Sequence, residues 1–168
     1  DINLAIVEAN HFIKEKRGEE ILDGINTLIA KNPKNVNLLL IKGSIHDNIT
    51  SKIKNETKDA ALQSKYDANI ASAEEAYQRV LAIESDNIFA LFNLGILYYN
   101  KGVVVNNNAA EITDKKKYLE QSSKANIEFE KAYPLLEKAF QKQPEDKQIK
   151  QVLNQIYAIL KMDDKVRK

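Results

Sequence analysis

Apolar residues recur every three or four positions through almost the whole chain. The first part shows this spacing clearly, at Leu4, Ile6, Val7, Phe12, Ile21, Leu22, Ile25, Leu28 and Ile29. Such a period places apolar side chains on one face of an α-helix. The alternation that is typical of β-strands is rare. The pattern therefore predicts an all-α protein.

Turn-forming residues divide this pattern into about seven helices. Breaks are expected at Gly18 and at residues 32–35, 47–51, 85–87, 102–108 and 143–145. Two helices are predicted to be long, over about residues 56–84 and 112–142. Pro134 lies inside the second of them. Because proline removes a backbone donor and crowds the preceding turn, we expect a kink or a restart of the helix there.

A repeated motif gives these helices a common register. Leu91, Leu94, Gly95 and Tyr98 match the first helix of a tetratricopeptide repeat (TPR), and the chain resembles that family. The second-helix pattern of the family is matched wholly or in part by three sets: Ala73, Tyr77 and Ser85; Ala132, Leu136 and Pro144; Ile21, Ile25 and Pro33. The first-helix pattern returns six residues after the end of each set: Leu91, Gly95 and Tyr98 after Ser85; Lys150, Leu153 and Tyr157 after Pro144; Leu39, Gly43 and His46 after Pro33.

The resemblance implies an all-α, TPR-like right-handed superhelical solenoid of antiparallel helix pairs, with residues 1–168 as a single domain. The approximate units are residues 2–34, 35–86 and 87–144, followed by a capping helix over residues 145–162. Gly43 and Gly95 are 52 residues apart, and Ser85 and Pro144 are 59 residues apart, against a family period of about 34. Inserts are therefore expected at about residues 49–66 and 103–127. We expect them to lengthen both the helices and the loops that join them.

The repeat pattern also predicts how the helices pack. Gly43, Gly95 and Ala9 are expected where the two helices of a unit cross, because a larger side chain would push the backbones apart. Small residues on the partner helix are expected to allow the same close approach of the two backbones: Ala73, Ala132 and Ala139. The aromatic positions are expected to fill the gaps between neighbouring units, at Phe12, Tyr98 and Tyr157.

In proteins of the family that the chain resembles, the first helix of each unit lines a concave surface that binds peptides. The resemblance places these candidate site residues there: Asn10, Asn37, Ser44, Phe89, Phe92, Asn93, Ile96, Tyr99 and Asn100. The same positions include Leu40 and Asp47. Ile6 and Phe89 stand where the family's carboxylate-binding site requires lysines, so that mode of binding is not expected. The predicted groove instead offers aromatic side chains and amides to an extended or helical segment.

Composition narrows the choice of partner. The 25 basic and 24 acidic side chains leave a net charge of +1, so no global field attracts nucleic acid. We expect no run of apolar residues to reach the length that spans a membrane, so no direct membrane insertion is expected. His11 and His46 lack a second ligand at helical spacing, so no metal is predicted. No phosphate loop or nucleophile motif is present, so we expect neither a cofactor nor an enzyme.

Two main functions remain in view, beside a third in which the chain is a regulatory domain of an enzyme located elsewhere in a longer protein. The first is a non-catalytic scaffold for protein–protein interaction that binds a peptide or protein segment in the concave groove. The alternative is a structural segment of a longer TPR solenoid or envelope assembly, with no ligand of its own. The start at Asp1 suggests a processed or excised chain. A homodimer is left open, and so is the choice between bacterial cytoplasm and periplasm, although the resemblance favours an exported protein.

Overall fold

The computed structural model describes residues 1–53 and 59–166. Within these ranges the chain forms seven α-helices and no β-strand: α1 (Ile2–Lys14), α2 (Leu22–Lys31), α3 (Val36–Thr50), α4 (Ala60–Ile83), α5 (Ile88–Ala110), α6 (Lys115–Lys142) and α7 (Lys147–Ile159). Short 3-10 turns lie at Gly18–Ile21 and Asp163–Lys165. The predicted all-α class and the number of helices are confirmed.

Aspartate and asparagine residues start most of these helices. In each case the side-chain oxygen accepts a hydrogen bond from a backbone N–H of the first turn, which satisfies a donor that has no partner inside the helix. The residues in this role include Asp1, Asn35, Asp59, Asp114 and Asp146. The breaks expected at residues 32–35, 85–87 and 143–145 are therefore confirmed, with helix ends at Lys31, Ile83 and Lys142.

The chain divides into two compact units, Asp1–Ala90 and Leu91–Lys168. In the first unit α3 packs against α1, α2 and α4, and the core contains Ala9, Ile25, Leu38, Leu39, Ile45 and Val80. In the second unit α6 packs against α7. Its core contains Phe129, Leu136, Leu153, Ile156 and Tyr157. The boundaries of the three repeats remain a prediction.

Close helix crossings lie at the glycines that the repeat pattern singled out. A Cβ atom on Gly43 would lie 2.6 Å from Cζ of Tyr77, and one on Gly95 would lie 2.7 Å from Cγ of Leu136. Ala9 is fully buried. The small partner residues Ala73, Ala132 and Ala139 are also fully buried. The predicted helix crossings of α3 with α4 and of α5 with α6 are thus confirmed.

The break predicted at residues 102–108 was wrong, because α5 continues to Ala110. Gly102 does not end the helix. It lies where a Cβ atom would come within 2.7 Å of the Phe129 ring, so glycine permits a second close approach of α5 and α6. The part-buried valines at 103–105 and the fully buried Ala109 extend the packed part of α5. The added residues lengthen the helices, and the connection to α6 is confined to residues 111–114.

The structure also corrects the expected restart at Pro134, because α6 runs through it as one helix. Pro134 and Glu130 are both exposed. Glu130 carries the carbonyl that loses its partner when proline replaces a backbone donor. On this exposed side water can reach that carbonyl, so the helix continues. The predicted start of the other long helix, at about residue 56, and part of the insert at 49–66 lie outside the described residues.

Candidate functional site

Six of the candidate residues lie along one side of α5 and are called the α5 face: Phe89, Phe92, Asn93, Ile96, Tyr99 and Asn100. Their spacing of three or four residues places them on one side of a helix. Phe89 is 66% exposed, Asn100 is exposed, and the other four are half-buried. The α5 face therefore presents aromatic and amide groups that remain accessible.

Tyr99 is fixed by contacts within the second unit. Its hydroxyl donates to Oε1 of Gln155 on α7, at 2.7 Å. Its ring lies 5.9 Å from the ring of Phe129 on α6, measured between centroids, and burial raises the pKa of the Tyr99 hydroxyl. Because both ends of the side chain are held, Tyr99 presents a rigid edge beside Gln155 to any molecule on this side of α5.

The first unit carries its own accessible side on α3, called the α3 face: Asn37, Leu40, Ser44 and Asp47. Asn37 is exposed and the other three are half-buried. Asn10, on the neighbouring α1, is exposed as well. All nine candidate site residues are thus exposed or half-buried, and their role in binding remains a prediction.

Asp47 is the one charged member of the α3 face. Its Oδ2 accepts a hydrogen bond of 2.5 Å from the hydroxyl of Tyr77 on α4. Burial raises the pKa of the Asp47 carboxyl from 3.8 to about 6, although the Tyr77 hydrogen bond acts in the opposite direction. Among residues 1–53 and 59–166, no lysine or arginine forms an ion pair with Asp47. A half-buried carboxylate is therefore left without a counter-charge in that part of the chain.

His46, next to Asp47, is a packed residue. It is 7% exposed, and its Nδ1 lies 2.6 Å from Oδ1 of Asn69 on α4. The Asn69 amide nitrogen donates to the carbonyl of Lys65, so Oδ1 is the acceptor and the proton of the neutral imidazole lies on Nδ1. Burial lowers the pKa of His46, although the bond to Asn69 opposes that shift.

The second unit contains a comparable pair of a tyrosine and a carboxylate. The hydroxyl of Tyr157 on α7 donates to Oε1 of Glu137 on α6, at 2.7 Å. Here a cation is present, because Nζ of Lys165 lies 3.2 Å from the same oxygen. The ammonium group also lies 5.0 Å from the ring centre of Tyr133 and 6.0 Å from that of Tyr157. Glu137 and two aromatic rings together hold the 3-10 turn at Asp163–Lys165 against this unit.

The described residues also bear on metal and membrane binding. No group of three or more His, Asp or Glu residues among them is arranged to hold a metal ion. In the same part of the chain one helix, α5, is long and apolar enough to cross a membrane by length and composition. This finding corrects the expectation that no apolar run approaches that length. The helix packs against α6 through Gly95 and Gly102, as a core helix does, although only 39% of its apolar stretch is buried.

The helix pairs and their glycine crossings define an all-α, TPR-like fold. No protein-family model matches the chain, and no curated protein matches it. Among solved structures, the chain is similar to a TPR repeats protein from Bacteroides fragilis, with 26% sequence identity over 95% of this chain and 83% of that one, at a TM-score of 0.49.

Sequence reasoning placed Asp47 on the accessible side of α3 but missed its bond to Tyr77. The repeat pattern contained a signal for it. Tyr77 is the bulky second-helix residue that packs against Gly43, and Asp47 follows Gly43 by one helical turn. A tyrosine ring that lies across Gly43 therefore directs its hydroxyl toward Asp47. The pair of Tyr157 and Glu137 was missed as well.

Proposed function

We propose that the chain is a non-catalytic protein-interaction scaffold that binds a peptide or protein segment, with the α5 face as part of its binding surface. The exposure of this face carries the proposal, since Phe89 is 66% exposed on a helix whose apolar stretch is only 39% buried. Helical repeat proteins bind partners through extended surfaces of stacked helices.

The chemistry of the α5 face suits a polypeptide partner. Large aromatic side chains are enriched among the residues that dominate protein–protein binding, because they bury much area at low entropic cost. Phe89, Phe92 and Tyr99 supply such side chains. Asn93 and Asn100 add donors and acceptors that can bond to a partner's backbone. The bond between Tyr99 and Gln155 supports binding further, because a side chain fixed before binding loses less entropy when it binds.

The test is an affinity capture from a lysate of the source organism, followed by mass spectrometry. The bait variant Phe89→Ser with Asn100→Ala changes two exposed positions of the α5 face. The matched control is Tyr118→Ser on α6, where the tyrosine is 42% exposed. We expect a partner that the wild type and the control retain and the double variant loses at least tenfold. A partner that all three proteins retain equally would contradict a role for the α5 face, provided that circular dichroism shows equal helicity.

A second candidate function is a structural segment of a longer helical array. One observation favours it: Leu4 and Val7 lie about one turn apart on α1 and are 68% and 66% exposed. Two large apolar side chains at that exposure are typical of a surface that another element covers. Capture experiments would then yield no partner for any bait. The isolated chain should also self-associate through this surface, and Leu4→Ser with Val7→Ser should reduce that association in light scattering.

A further inference from the structure

The chain contains two hydrogen bonds of the same chemical kind, each between a tyrosine hydroxyl and a carboxylate on a neighbouring helix. Tyr157 donates to Glu137 at 2.7 Å, and Tyr77 donates to Asp47 at 2.5 Å. They differ in one respect. Glu137 is paired with the ammonium group of Lys165, whereas no cation pairs with Asp47 in the part of the chain that the structure describes.

A single hydroxyl donor does not neutralise a carboxylate. A partly desolvated charge that lacks a counter-ion destabilises the folded protein, and a matched cation offsets that cost. Tyr77 has little freedom to move, because its ring is fully buried and lies against Gly43. The carboxylate is therefore held in position, with one oxygen bonded to Tyr77 and its charge uncompensated by the described residues.

The location of Asp47 makes it accessible to a partner. It lies on the α3 face with Asn37, Leu40 and Ser44, on the side of α3 that stays exposed or half-buried. Ser44 lies one turn before Asp47 and Leu40 one turn before Ser44, so the face offers a hydroxyl and an apolar side chain beside the carboxylate. A long side chain with an aliphatic stem and a cationic head fits this order of groups.

We propose that Asp47, held by Tyr77, binds the ammonium or guanidinium group of a lysine or arginine in a peptide segment that lies on the α3 face. The inference rests on the proposed function and adds to it the partner's chemistry, which is a cationic segment. In the second unit the chain's own Lys165 shows that a tyrosine-bonded carboxylate accepts such a group. Ionic pairs of this type, partly shielded from water, contribute strongly to specificity.

The pH response of the site comes from Asp47 itself, whose pKa is set by burial and by the Tyr77 hydrogen bond. His46 lies on the adjacent position and is bonded to Asn69, while Lys42 on α3 and Glu75 on α4 act electrostatically on His46. Since the pKa of Asp47 is about 6, about a tenth of its carboxyl groups are ionised at pH 5. Affinity for a cationic segment is therefore expected to fall about tenfold between pH 7.5 and pH 5.

The experiment selects peptides from a phage-displayed library of random dodecapeptides against the wild-type chain, with counter-selection against Asp47→Asn. Asparagine keeps the shape of the side chain and an oxygen that accepts from Tyr77, so the variant is expected to fold. The control variant is Asp23→Asn on α2, where the aspartate is exposed. Selected peptides are then measured by fluorescence polarisation against all three proteins.

We expect the discriminating peptides to carry lysine or arginine, to bind Asp47→Asn at least tenfold more weakly than wild type, and to bind Asp23→Asn equally well. Replacing the cationic residue of the peptide by glutamine should weaken its binding to the wild type at least tenfold. The same replacement should not weaken its binding to Asp47→Asn any further. The pH dependence should disappear in Asp47→Asn. Peptides that bind without a cationic residue, or equally to Asp47→Asn, would overturn this inference and leave the scaffold function standing. If no peptide is selected by any of the proteins, both the inference and the proposed function fail.

Discussion

Gly43→Ala tests the packing of α3 against α4 most directly. A Cβ atom at this position would lie 2.6 Å from Cζ and 2.9 Å from Cδ1 of Tyr77, well inside the separation of ordinary carbon contacts, about 3.5–4.0 Å. The ring cannot yield easily, because Tyr77 is fully buried and its hydroxyl is bonded to Asp47. The variant must separate the helices or displace the ring.

The expected magnitude is the balance of three effects. Overpacking of a core costs about 1–3 kcal/mol, and loss of the Tyr77 hydrogen bond adds about 1 kcal/mol or more because its acceptor is charged. Against these, alanine is favoured over glycine inside a helix by about 1 kcal/mol. We therefore expect a net loss of about 2 kcal/mol in the free energy of unfolding, which is about 4–8 °C in Tm for a chain of this size.

Gly24→Ala is the matched control for this prediction. Gly24 lies inside α2, and a Cβ atom there would meet nothing within 4 Å. The same chemical change should therefore raise stability by about 0.5–1 kcal/mol. Urea unfolding followed by far-UV circular dichroism measures both variants. If Gly43→Ala proves as stable as Gly24→Ala, the claim that a close approach requires glycine at position 43 is refuted.

Three further predictions follow from other contacts. Gly95→Ala should cost less than Gly43→Ala in the same urea assay, because the two closest atoms that its Cβ would meet belong to the flexible side chain of Leu136 and the nearest backbone atom, O of Ala132, lies at 3.5 Å; an equal cost would contradict that reasoning. The pKa of Asp47 is raised, so its burial penalty is absent below pH 3.8 and complete above about pH 6. Asp47→Asn should therefore lie within about 0.5 kcal/mol of wild-type stability near pH 4 and exceed it by up to about 3 kcal/mol at pH 7, and an advantage that does not change with pH would contradict the shift. Phe89→Ser should change Tm by less than about 2 °C in differential scanning calorimetry, since exposed positions contribute little to stability, and a larger loss would show that Phe89 packs in the core.

The helices and their crossings were predictable from the sequence because each rests on a local rule. Turn residues such as those at 32–35 and 143–145 end a helix whatever surrounds them, and the capping aspartates act within one turn. Gly43 and Gly95 carried information because they recur at the same place in a repeated pattern. The residues of the α5 face were placed on one side of the helix by the family resemblance together with helical spacing. Its exposure and the bond from Tyr99 to Gln155 needed the structure.

Prediction from the sequence failed where a residue type occurs both at helix ends and inside helices. Gly102 near several asparagines resembles a loop, but the glycine is there because Phe129 of α6 lies against it. That contact joins residues far apart in the sequence, so no local pattern reveals it. Pro134 predicts an interruption of the helix. At this exposed position, however, the loss of a backbone donor costs little free energy, because water can bond to the carbonyl that is left without a partner. The pairing of Tyr77 with Asp47 likewise depends on the orientation of one ring across a helix crossing.

The short connection between α5 and α6 has a practical consequence for engineering. Residues 113–120 are all exposed, and α6 has 28 residues, so it extends over about 42 Å. An inserted segment tolerates best a site where little buried backbone is disturbed. The turn at residues 111–114 is such a site, and a reporter peptide or a second domain placed there would be carried at the tip of a helical hairpin, away from the crossings at Gly95 and Gly102.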